Sequence, residues 1–335
     1  MKDAEVKSKA TREKAQAQAR QFQQELSAAS AVLIGTHLNP DGDAIGSALA
    51  MSHYLTDQGM RNEVLCHHGP PANLQFLPGS GKVRQVPQGT GFDLGIILDL
   101  DAFDRLGSTA QYFENLPRLA VIDHHVPIEA PGDLRIVDTE SPATALILSR
   151  LLFEMEGEVT PEIATCLLTG IVTDTGSFRF RNTSPESLSI SARLLELGGD
   201  INEVSEEIYQ RKPIAAARLL GYLLERMQLE CDGKLCYGML HFDDFEKTGA
   251  QDEDTEGFVN ELLSINTVEI SALFSETKRG RVRVSLRSRT YDVAAVAREV
   301  GGGGHKNAAG CSFNASLEEA RDILVPRLRR CLESC

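Results

Sequence analysis

Residues 35–47 read GTHLNPDGDAIGS and bring one imidazole and two carboxylates, those of His37, Asp41 and Asp43, into one short loop. The apolar run before the loop, 31–34, predicts a buried strand, and the apolar residues after it recur at the spacing of a helix. This order of strand, loop and helix is typical of open α/β sheets, which bind ligands beyond the carboxyl ends of their strands. We therefore expect the loop to direct its three ionisable side chains at one point there.

The loop alone leaves two interpretations open. Pro40 biases Asn39 away from the helical region, and Gly42 is expected to let the backbone turn between the two aspartates. The same residues also fit an ordinary Asn-Pro-Asp-Gly turn in which an aspartate caps the following helix. Other parts of the chain have to decide between a ligand site and a simple turn.

Composition excludes several classes of function. The chain has 335 residues, enough for two domains, and a net charge of −14, which opposes binding to long or duplex nucleic acid. That charge still allows a small phosphorylated ligand to be held by a local basic patch. No apolar run is long enough to span a membrane, and the N-terminus lacks the apolar core of a signal peptide. Seven cysteines without a Cys-x-x-Cys pair favour a reduced cytoplasm.

Ionisable side chains recur at the ends of other predicted elements. One buried strand ends in Asp99, a second is followed by Asp123, His124 and His125, and a predicted helix closes on Asp174. Because alternating β and α elements imply a parallel sheet, the three strand ends are expected to share one edge. One strand-end aspartate is common, whereas imidazoles and carboxylates at four successive ends indicate a metal site. This recurrence decides in favour of a ligand site.

The remaining histidines outside the glycine run are expected to be structural. His67 and His68 lie in a Gly-Pro-Pro loop without carboxylates at ligand spacing, so a structural role is favoured over a second metal site. His53 lies within a predicted helix, and His241 lies near the end of a strand, where neither has a partner at ligand spacing.

The order of the predicted elements divides the chain into four parts. Residues 1–24 form a mostly solvated helical extension, and residues 25–199 form a first domain that contains the metal-site residues. Residues 200–222 are a charged helical connector, and residues 223–335 form a smaller second domain. The predicted fold class is therefore α/β, with a parallel-sheet domain followed by a smaller α/β domain.

The second domain is expected to begin with a hairpin at 226–240, followed by a polar loop, 243–256, and a helix, 258–263. A later strand, 281–287, alternates apolar and basic residues, and the run 278–289 around it has six cations and no acid. Such a run in an acidic chain is a candidate for the local basic patch that could hold a small phosphorylated ligand. A solvated edge strand is the alternative, because lysine and arginine protect sheet edges.

Four glycines, 301–304, precede His305, Lys306 and Asn307. Glycines expose backbone N–H groups, which can form an anion-binding concavity and allow a ligand to approach closely. A flexible linker is the alternative interpretation. The apolar segments on both sides argue against a domain boundary at this point.

These motifs together resemble the DHH phosphoesterase superfamily. The residues that match its four N-terminal motifs are His37, Asp41, Asp43, Asp99, Asp123, His124, His125 and Asp174. Residues 285–288 and 301–310 match its second domain, DHHA1, so the resemblance covers roughly residues 25–335. Within the superfamily the chain is similar to the nanoRNases and pAp phosphatases. RecJ-type exonucleases are longer, and the manganese pyrophosphatases carry an SRKKQ-type motif that this sequence lacks.

The resemblance implies a catalytic DHH domain that holds two divalent metal ions. The ligands of one ion would be His37, Asp41 and Asp99. The ligands of the other would be Asp43, Asp99, His124 and Asp174. Asp99 would therefore bridge the two ions. Mixed imidazole and carboxylate ligands suit Mn²⁺, and two such ions can clamp the attacking and leaving oxygens of a phosphoester.

The resemblance also implies roles in catalysis and substrate binding. His125 would face the substrate and serve the leaving oxygen, and Asp123 would orient an imidazole and fix its tautomer. The active site would lie in the cleft between the two domains. The substrate-binding residues would be Arg105, Arg287, Ser288, Gly303, Gly304, His305 and Asn307, with Arg283 and Arg289 as weaker candidates.

The implied activity is hydrolysis of RNA oligonucleotides of a few residues to 5′-mononucleotides, and of 3′-phosphoadenosine 5′-phosphate (pAp) to AMP and phosphate. The expected partners are thus short single-stranded RNA and pAp, without a membrane or long duplex nucleic acid, and with a homodimer as an expected assembly. A phosphodiesterase for linear signalling dinucleotides such as pGpG would use the same residues. A nucleotide-binding regulator without catalysis ranks below both, because every expected ligand is present.

Overall fold

The computed structural model describes residues 2–100, 102–126, 132–277 and 280–333, with side chains from residue 13 onward. The chain divides into two compact units, Met1–Arg211 and Lys212–Cys335, and each is described by itself. The division lies within the segment 200–222 that the sequence indicates as a connector. Residues 278 and 279 of the basic run lie outside the described residues.

The described part of the first unit contains a five-stranded parallel sheet with the strand order β2-β1-β3-β4-β5. The strands are β1 (Ala31–Gly35), β2 (Arg61–Leu65), β3 (Leu94–Leu98), β4 (Leu119–Asp123) and β5 (Leu134–Val137). The parallel sheet predicted from the sequence is confirmed, although its last strand was not predicted. The strand order reverses between β1 and β3, and such a switch point is where open α/β sheets bind ligands.

Helices pack against this sheet. They are α1 (Lys2–Ser27), α2 (Gly42–Asp57), α3 (Thr144–Glu154), α4 (Pro161–Asp174), α5 (Pro185–Glu196) and α6 (Ile201–Ser205). Residues of α1 to α5 bury apolar side chains against one face of the sheet. A run of 3₁₀ turns, Phe103–Tyr112, contributes to a second apolar cluster with Leu33 and Ile97 on the other face. Both faces of the sheet are therefore covered, as its continuous apolar strands require.

The N-terminal helix differs from its prediction. A mostly solvated helix was expected, but Ala15, Ala19, Phe22 and Leu26 are buried and form a stripe at helical spacing. Phe22 is fully buried in the core of the first unit. The second half of α1 is thus part of that core, because two large apolar residues one turn apart are enough to anchor a polar helix.

Glycines allow α2 and α4 to pack closely. A Cβ atom at Gly46 would overlap the backbone oxygen of Cys166, and one at Gly42 would overlap the side chain of Thr173. Gly42 is the first residue of α2, so it supplies space and not the turn that the sequence predicted. The left-handed residue of the loop is Asn39, with φ of 53°, a conformation that asparagine tolerates better than most residues.

The described part of the second unit contains a six-stranded mixed sheet with the order β10-β11-β9-β8-β7-β6. Its strands are β6 (Gln228–Glu230), β7 (Leu235–Leu240), β8 (Ile270–Glu276), β9 (Val282–Ser288), β10 (Gly303–His305) and β11 (Ala308–Phe313). Its helices are α7 (Ile214–Arg226), α8 (Phe242–Thr248), α9 (Phe258–Leu263), α10 (Val293–Arg298) and α11 (Leu317–Glu333). Only β7 and β8 pair in parallel among these strands, and the predicted hairpin is the β6–β7 pair.

One alternative interpretation and one expectation for the second unit are wrong. The basic strand β9 is not an edge strand, because it pairs with both β8 and β11 and buries Val282, Val284 and Leu286. The segment predicted as a polar loop contains α8 and a 3₁₀ turn, Asp252–Thr255. Helix α8 is supported by Asp244, which accepts from the backbone N–H of His241, and by Phe245, which reaches the core.

The glycine run is ordered where it meets β11. Gly303 and Gly304 form β10 with His305, so the interpretation as a flexible linker is wrong for these residues. A Cβ atom at Gly302 or Gly304 would overlap backbone atoms of β11. The glycines therefore serve a close backbone approach, as glycines in strands often do. Among the described residues, no helix is both long and apolar enough to cross a membrane.

Candidate active site

The structure brings the ionisable residues of the first unit to one edge of its sheet. Strands β1, β3 and β4 are neighbours and run in the same direction. The loop after β1 carries His37, Asp99 directly follows β3, and His124 directly follows β4. Asp174 is the last residue of α4. The convergence expected from the parallel topology is thus observed.

The loop after β1 is both a helix cap and part of the cluster. Asp41 Oδ1 accepts hydrogen bonds from the backbone N–H groups of Asp43 and Ala44, at 3.1 and 3.0 Å, and so caps α2. The same oxygen lies 3.9 Å from His37 Nε2, and Asp99 Oδ2 lies 3.3 Å from that nitrogen. The two interpretations of this loop are therefore compatible, because one carboxylate can cap the helix and face the cluster.

Asp99 is the centre of the cluster. Its Oδ2 faces His37, whereas its Oδ1 lies 3.4 Å from His124 Nε2. His124 Nε2 lies a further 3.3 Å from Asp174 Oδ2 and 4.0 Å from Asp43 Oδ2. Asp99 is buried and adopts a left-handed φ of 60°, which an aspartate tolerates but which costs free energy. Each oxygen of this one carboxylate therefore faces a different imidazole.

The tautomers of the two buried imidazoles show that the cluster fits cations. His37 Nδ1 lies 2.9 Å from the carbonyl oxygen of Leu38, and His124 Nδ1 lies 3.2 Å from that of Ser141. A carbonyl oxygen only accepts, so each Nδ1 donates and the neutral ring presents a lone pair on Nε2. These lone pairs point at carboxylate oxygens, which is repulsive unless a cation lies between them. The donor set of imidazole nitrogen and carboxylate oxygen suits a divalent metal ion.

The pKa values of the cluster reflect the same crowding. Burial, followed by the charges of neighbouring carboxylates, raises the pKa of Asp43 and of Asp174 well above the usual range. Burial alone would lower the pKa of His37, but its hydrogen bond to Asp99 and the charge of Asp41 raise it overall. Burial opposes ionisation of Asp99, yet the hydrogen bond from His37 and the nearby imidazoles hold its pKa below normal. In the absence of metal, bound protons therefore neutralise part of the negative charge that metal cations would otherwise neutralise.

His125 and Asp123 form a separate pair beside the cluster. The side chain of Asp123 accepts from His125 at both the backbone N–H, 3.1 Å, and the ring Nδ1, 2.8 Å. The ring Nδ1 also lies 3.6 Å from Asp99 Oδ1. Two bonds to one carboxylate oxygen hold the imidazole in a fixed orientation with Nδ1 protonated, so that proton transfer would take place at Nε2.

Sequence reasoning missed the groups that hold the carboxylates. Asp43 accepts from the backbone N–H groups of Thr144 and Ala145, at 2.6 and 2.8 Å, and Asp99 accepts from the hydroxyl of Thr144 at 2.9 Å. A Cβ atom at Gly170 would lie 2.5 Å from Asp43 Oδ1, so a glycine is needed there. The local sequence of α3 predicts a helix start but contains no signal for contacts with such distant residues.

The other histidines of the first unit have structural partners. His67 Nδ1 accepts from the backbone N–H of Ser108 at 3.0 Å, and His68 Nδ1 accepts from that of Asn39 at 3.0 Å. His53 Nε2 lies 2.8 Å from the carbonyl oxygen of Pro78. The structural interpretation of His67, His68 and His53 therefore agrees with their contacts.

Two predicted substrate residues of the second unit, Arg287 and His305, lie in one row across its sheet. Ala308 of β11 pairs with Arg287 of β9 on one side and with His305 of β10 on the other. Directly opposite residues of antiparallel strands project from the same face, so Arg287 and His305 share a face about 10 Å apart, or two strand spacings. Burial lowers the pKa of Arg287, although the charge of Glu256 opposes this shift.

Other predicted substrate residues have structural contacts. Asn307 Nδ2 donates to Ser288 Oγ at 3.0 Å, and the Ser288 hydroxyl donates to the carbonyl oxygen of Tyr291. Arg283 donates to Thr255 Oγ1, and Arg289 donates to carbonyl oxygens at the end of α9. These contacts stabilise the second unit and account for two of the cations in the basic run.

The remaining predicted substrate residues are Gly303, Gly304 and Arg105, and their backbone contacts define their positions. Gly303 and Gly304 belong to the paired strand β10. Arg105, in the first unit, accepts a hydrogen bond at its backbone oxygen from Leu38 N, 2.7 Å away, so its segment adjoins the loop of His37. The structure therefore groups the metal-site residues in one unit and most candidate substrate residues in the other.

Fold and cluster together define a metal-dependent hydrolase of phosphoester bonds. Residues 31–171 match the DHH family, N-terminal domain, and residues 232–334 match the DHHA1 domain. The chain belongs to the DHH family of phosphoesterases, which confirms the resemblance seen in the sequence.

Curated relatives and a solved structure extend this membership along the chain. The bifunctional oligoribonuclease and PAP phosphatase NrnA of Thermus thermophilus is 34% identical over 304 residues, covering 89% of each chain. The Bacillus subtilis protein of the same name is 26% identical over 306 residues, covering 90% of this chain and 95% of its own. The crystal structure of an exopolyphosphatase-related protein from Bacteroides fragilis is similar, with a TM-score of 0.87, 30% identity and coverage of 95% and 96%.

Proposed function

We propose that this phosphoesterase hydrolyses short RNA oligonucleotides to 5′-mononucleotides and pAp to AMP and phosphate. The observation that carries the proposal is the shared position of Asp99, whose two oxygens lie 3.3 and 3.4 Å from the Nε2 atoms of His37 and His124. A carboxylate in that position suits a bridge between two metal ions. Relatives of similar length that are named for both activities support the choice of substrates.

Two divalent ions, proposed to be Mn²⁺, would occupy the two halves of the cluster. The proposed ligands of one are His37, Asp41 and Asp99. The proposed ligands of the other are Asp43, Asp99, His124 and Asp174. When bound, such ions polarise the phosphoryl group and bring the attacking and leaving oxygens into line. The mixture of imidazole and carboxylate ligands favours Mn²⁺ over metals that prefer thiolates.

His125 is proposed to donate a proton to the leaving oxygen. Its Nδ1 is held by Asp123 at 2.8 Å, so Nε2 is the atom available for proton transfer in a substrate complex. Asp123 would act through His125, by fixing the ring and stabilising its protonated form. Asp99 and Asp123 are buried, and electrostatic interactions are stronger where groups are shielded from water.

The row of Arg287 and His305 is proposed to bind the outer phosphate or nucleotide of the substrate. Arg287 is half-buried and burial lowers its pKa, and a partly desolvated guanidinium gains more from a phosphate than a fully exposed one does. Gly303 and Gly304 would supply backbone N–H groups or space, whereas Ser288 and Asn307 would hold the neighbouring backbone through their mutual bond. In the first unit, Arg105 would contact the substrate beside the loop of His37.

The proposal includes a compartment and an assembly. The six described cysteines that remain unpaired are compatible with a reducing cytoplasm, which we propose as the site of action. We propose domains at 25–199 and 223–335, joined by the connector 200–222. We also propose that the protein forms a homodimer.

A panel of substrates tests the proposed activity. We expect the purified protein to release AMP from pAp and mononucleotides from RNAs of two to about five residues in Mn²⁺, with much lower rates for RNAs of about twenty residues and in Mg²⁺. The measurement is a time course of 5′-labelled RNAs, pAp, pGpG and pyrophosphate after removal of bound metals. Strong preference for pGpG would replace the proposal with the signalling-dinucleotide alternative. Absence of hydrolysis with any substrate would contradict it.

Metal binding is expected to stabilise the protein increasingly as pH rises through the raised pKa values of Asp43, Asp174 and His37. Asp43, Asp174 and His37 have raised pKa values, so their contribution to folding is present at low pH and is lost as pH rises through those values. Asp99 has a lowered pKa, so its contribution to folding is present throughout this range and is lost only in more acidic solution. The metal replaces the lost protons, and the gap in Tm between protein in Mn²⁺ and in chelator should widen.

Thermal unfolding at a series of pH values measures this gap. The variant Asp174→Asn cannot ionise at that position, so its gap should widen less than that of the wild type. A gap that stays constant or narrows with pH in the wild-type protein would contradict the assigned direction of the pKa shifts.

A further inference from the structure

Helix α3 begins in an unusual way. Its N-cap residue is Ala143, which offers no side-chain acceptor, and alanine is among the poorer N-cap residues. The first two N–H groups of the helix, those of Thr144 and Ala145, donate instead to the two oxygens of Asp43 from α2. Asp43 therefore caps a helix that lies about a hundred residues further along the chain, and the positive end of the helix dipole stabilises its charge.

Thr144 makes a second contact with the cluster through its side chain. Its hydroxyl donates to Asp99 Oδ1 at 2.9 Å, while its backbone N–H donates to Asp43 Oδ2 at 2.6 Å. Thr144 is fully buried. One residue thus holds the two carboxylates that lie closest to the centre of the cluster, from a position between them.

The hydroxyl of Thr144 bonds to one particular oxygen of the Asp99 carboxylate. With Oδ1 held by Thr144, this oxygen faces His124 and the other oxygen faces His37. Without that bond the carboxylate could rotate about its terminal torsion, which is a broad and soft one. A rotated carboxylate would no longer present one oxygen to each imidazole.

Comparison with other buried threonines argues against a merely structural hydroxyl. Thr165 and Thr169 of α4 donate their hydroxyls to carbonyl oxygens four residues earlier in their own helix, at 2.9 Å in each case. Such local bonds satisfy a buried hydroxyl without reaching any other element. The hydroxyl of Thr144 bonds instead to a carboxylate of the cluster, 45 positions away in the chain.

We propose that Thr144 is a positioning residue of the metal centre, which sets the orientation of Asp99 through its hydroxyl and holds Asp43 through its backbone N–H. The inference rests on the proposed function, because it requires both carboxylates to be metal ligands. Partners that orient ligating groups typically change metal affinity by about 10- to 100-fold when they are removed.

Isothermal titration calorimetry of the metal-stripped protein with Mn²⁺ tests the inference. Thr144→Val keeps the shape and the backbone N–H but removes the hydroxyl, and should weaken Mn²⁺ binding by about 10-fold or more. Thr144→Ser keeps the hydroxyl, so its Mn²⁺ affinity should stay within about 3-fold of that of the wild type, well short of the roughly 10-fold loss expected for valine. Should the valine variant fail to fold, Thr144→Cys, with a much weaker donor of similar size, carries the same expectation.

A matched control separates positioning from loss of packing. Thr169→Val makes the same chemical change at a fully buried threonine whose hydroxyl bonds only within α4. It should lower the Tm but leave the Mn²⁺ affinity unchanged. The activity of Thr144→Val should also need a higher Mn²⁺ concentration for half-saturation and should largely recover when Mn²⁺ is saturating.

Each outcome of the titration has a defined meaning. Wild-type protein that binds no divalent ion would overturn the proposed function and this inference with it. Wild-type binding together with unchanged affinity in Thr144→Val would overturn the inference alone. Equal loss of affinity in Thr144→Val and Thr144→Ser, or in Thr144→Val and Thr169→Val, would also overturn it, because the hydroxyl at this position would then have no specific effect.

Discussion

Replacement of Asp99 by alanine is expected to abolish turnover and to remove both metal ions. The reason is the position of the carboxylate, which lies 3.3 Å from His37 Nε2 and 3.4 Å from His124 Nε2. Removing Asp99 takes a proposed ligand from each half of the cluster. The remaining carboxylates then lie close together without the residue that would bridge the two ions. Removal of one bridging group should therefore have a larger effect than removal of any group that serves a single step.

His125→Ala is the comparison for this prediction. Loss of one positioned proton-transfer group typically lowers the rate by about 10²- to 10⁴-fold, and the metal ligands themselves would remain. Metal content and kcat/KM for pAp should be measured for both variants. Asp99→Asn, which keeps the shape but loses the charge, controls for packing and should resemble Asp99→Ala. If Asp99→Ala retains both metals and substantial activity, Asp99 does not bridge.

Arg287→Ala and His305→Ala are expected to cripple hydrolysis of pAp and dinucleotides while leaving metal content unchanged. Both residues lie in the row that runs through Ala308 on the sheet of the second unit. A short substrate depends on its outer phosphate for orientation, so remote binding energy supports the chemical step as well as affinity. A charged hydrogen bond contributes about 1.5–3 kcal/mol, equivalent to about ten- to a hundredfold in kcat/KM.

A substrate without an outer phosphate provides the control reaction. The slow hydrolysis of bis-p-nitrophenyl phosphate should change little in either variant. Arg281→Ala provides a matched control, because Arg281 is an exposed arginine next to the start of β9 that has no proposed contact with substrate. Equal losses on pAp, a dinucleotide and the generic ester, with metals intact, would place Arg287 and His305 in the chemistry itself.

The sheet of the first unit could be predicted from the sequence because its signals are local. Continuous apolar runs mark strands that are buried on both faces, and parallel topology then brings their carboxyl ends together. The residues at those ends, such as Asp99 and His124, needed no knowledge of distant contacts. The match of three strand ends and one helix end to a single metal-site pattern is what made the cluster predictable.

Features that depend on distant pairing could not be predicted. The basic strand β9 was open to interpretation as an edge strand because its neighbour β11 comes after the glycine run and has little apolar pattern of its own. The burial of Phe22 depends on a helix docking against a core that its own sequence does not describe. Thr144 was missed for the same reason. Its contact with Asp43 spans 101 positions of the chain, and its contact with Asp99 spans 45.

The groups that converge on the cluster are spread along the chain from His37 to Asp174. During synthesis even the first proposed ligand set, His37, Asp41 and Asp99, needs β1 and β3 side by side, and the last group of the second set belongs to α4, after the strands of the first sheet. Metal therefore cannot direct the early folding of this protein as zinc does in small fingers, whose ligands lie close together in sequence. Loading has to follow assembly of the sheet, so cells short of metal should accumulate folded, inactive enzyme that regains activity once the supply returns.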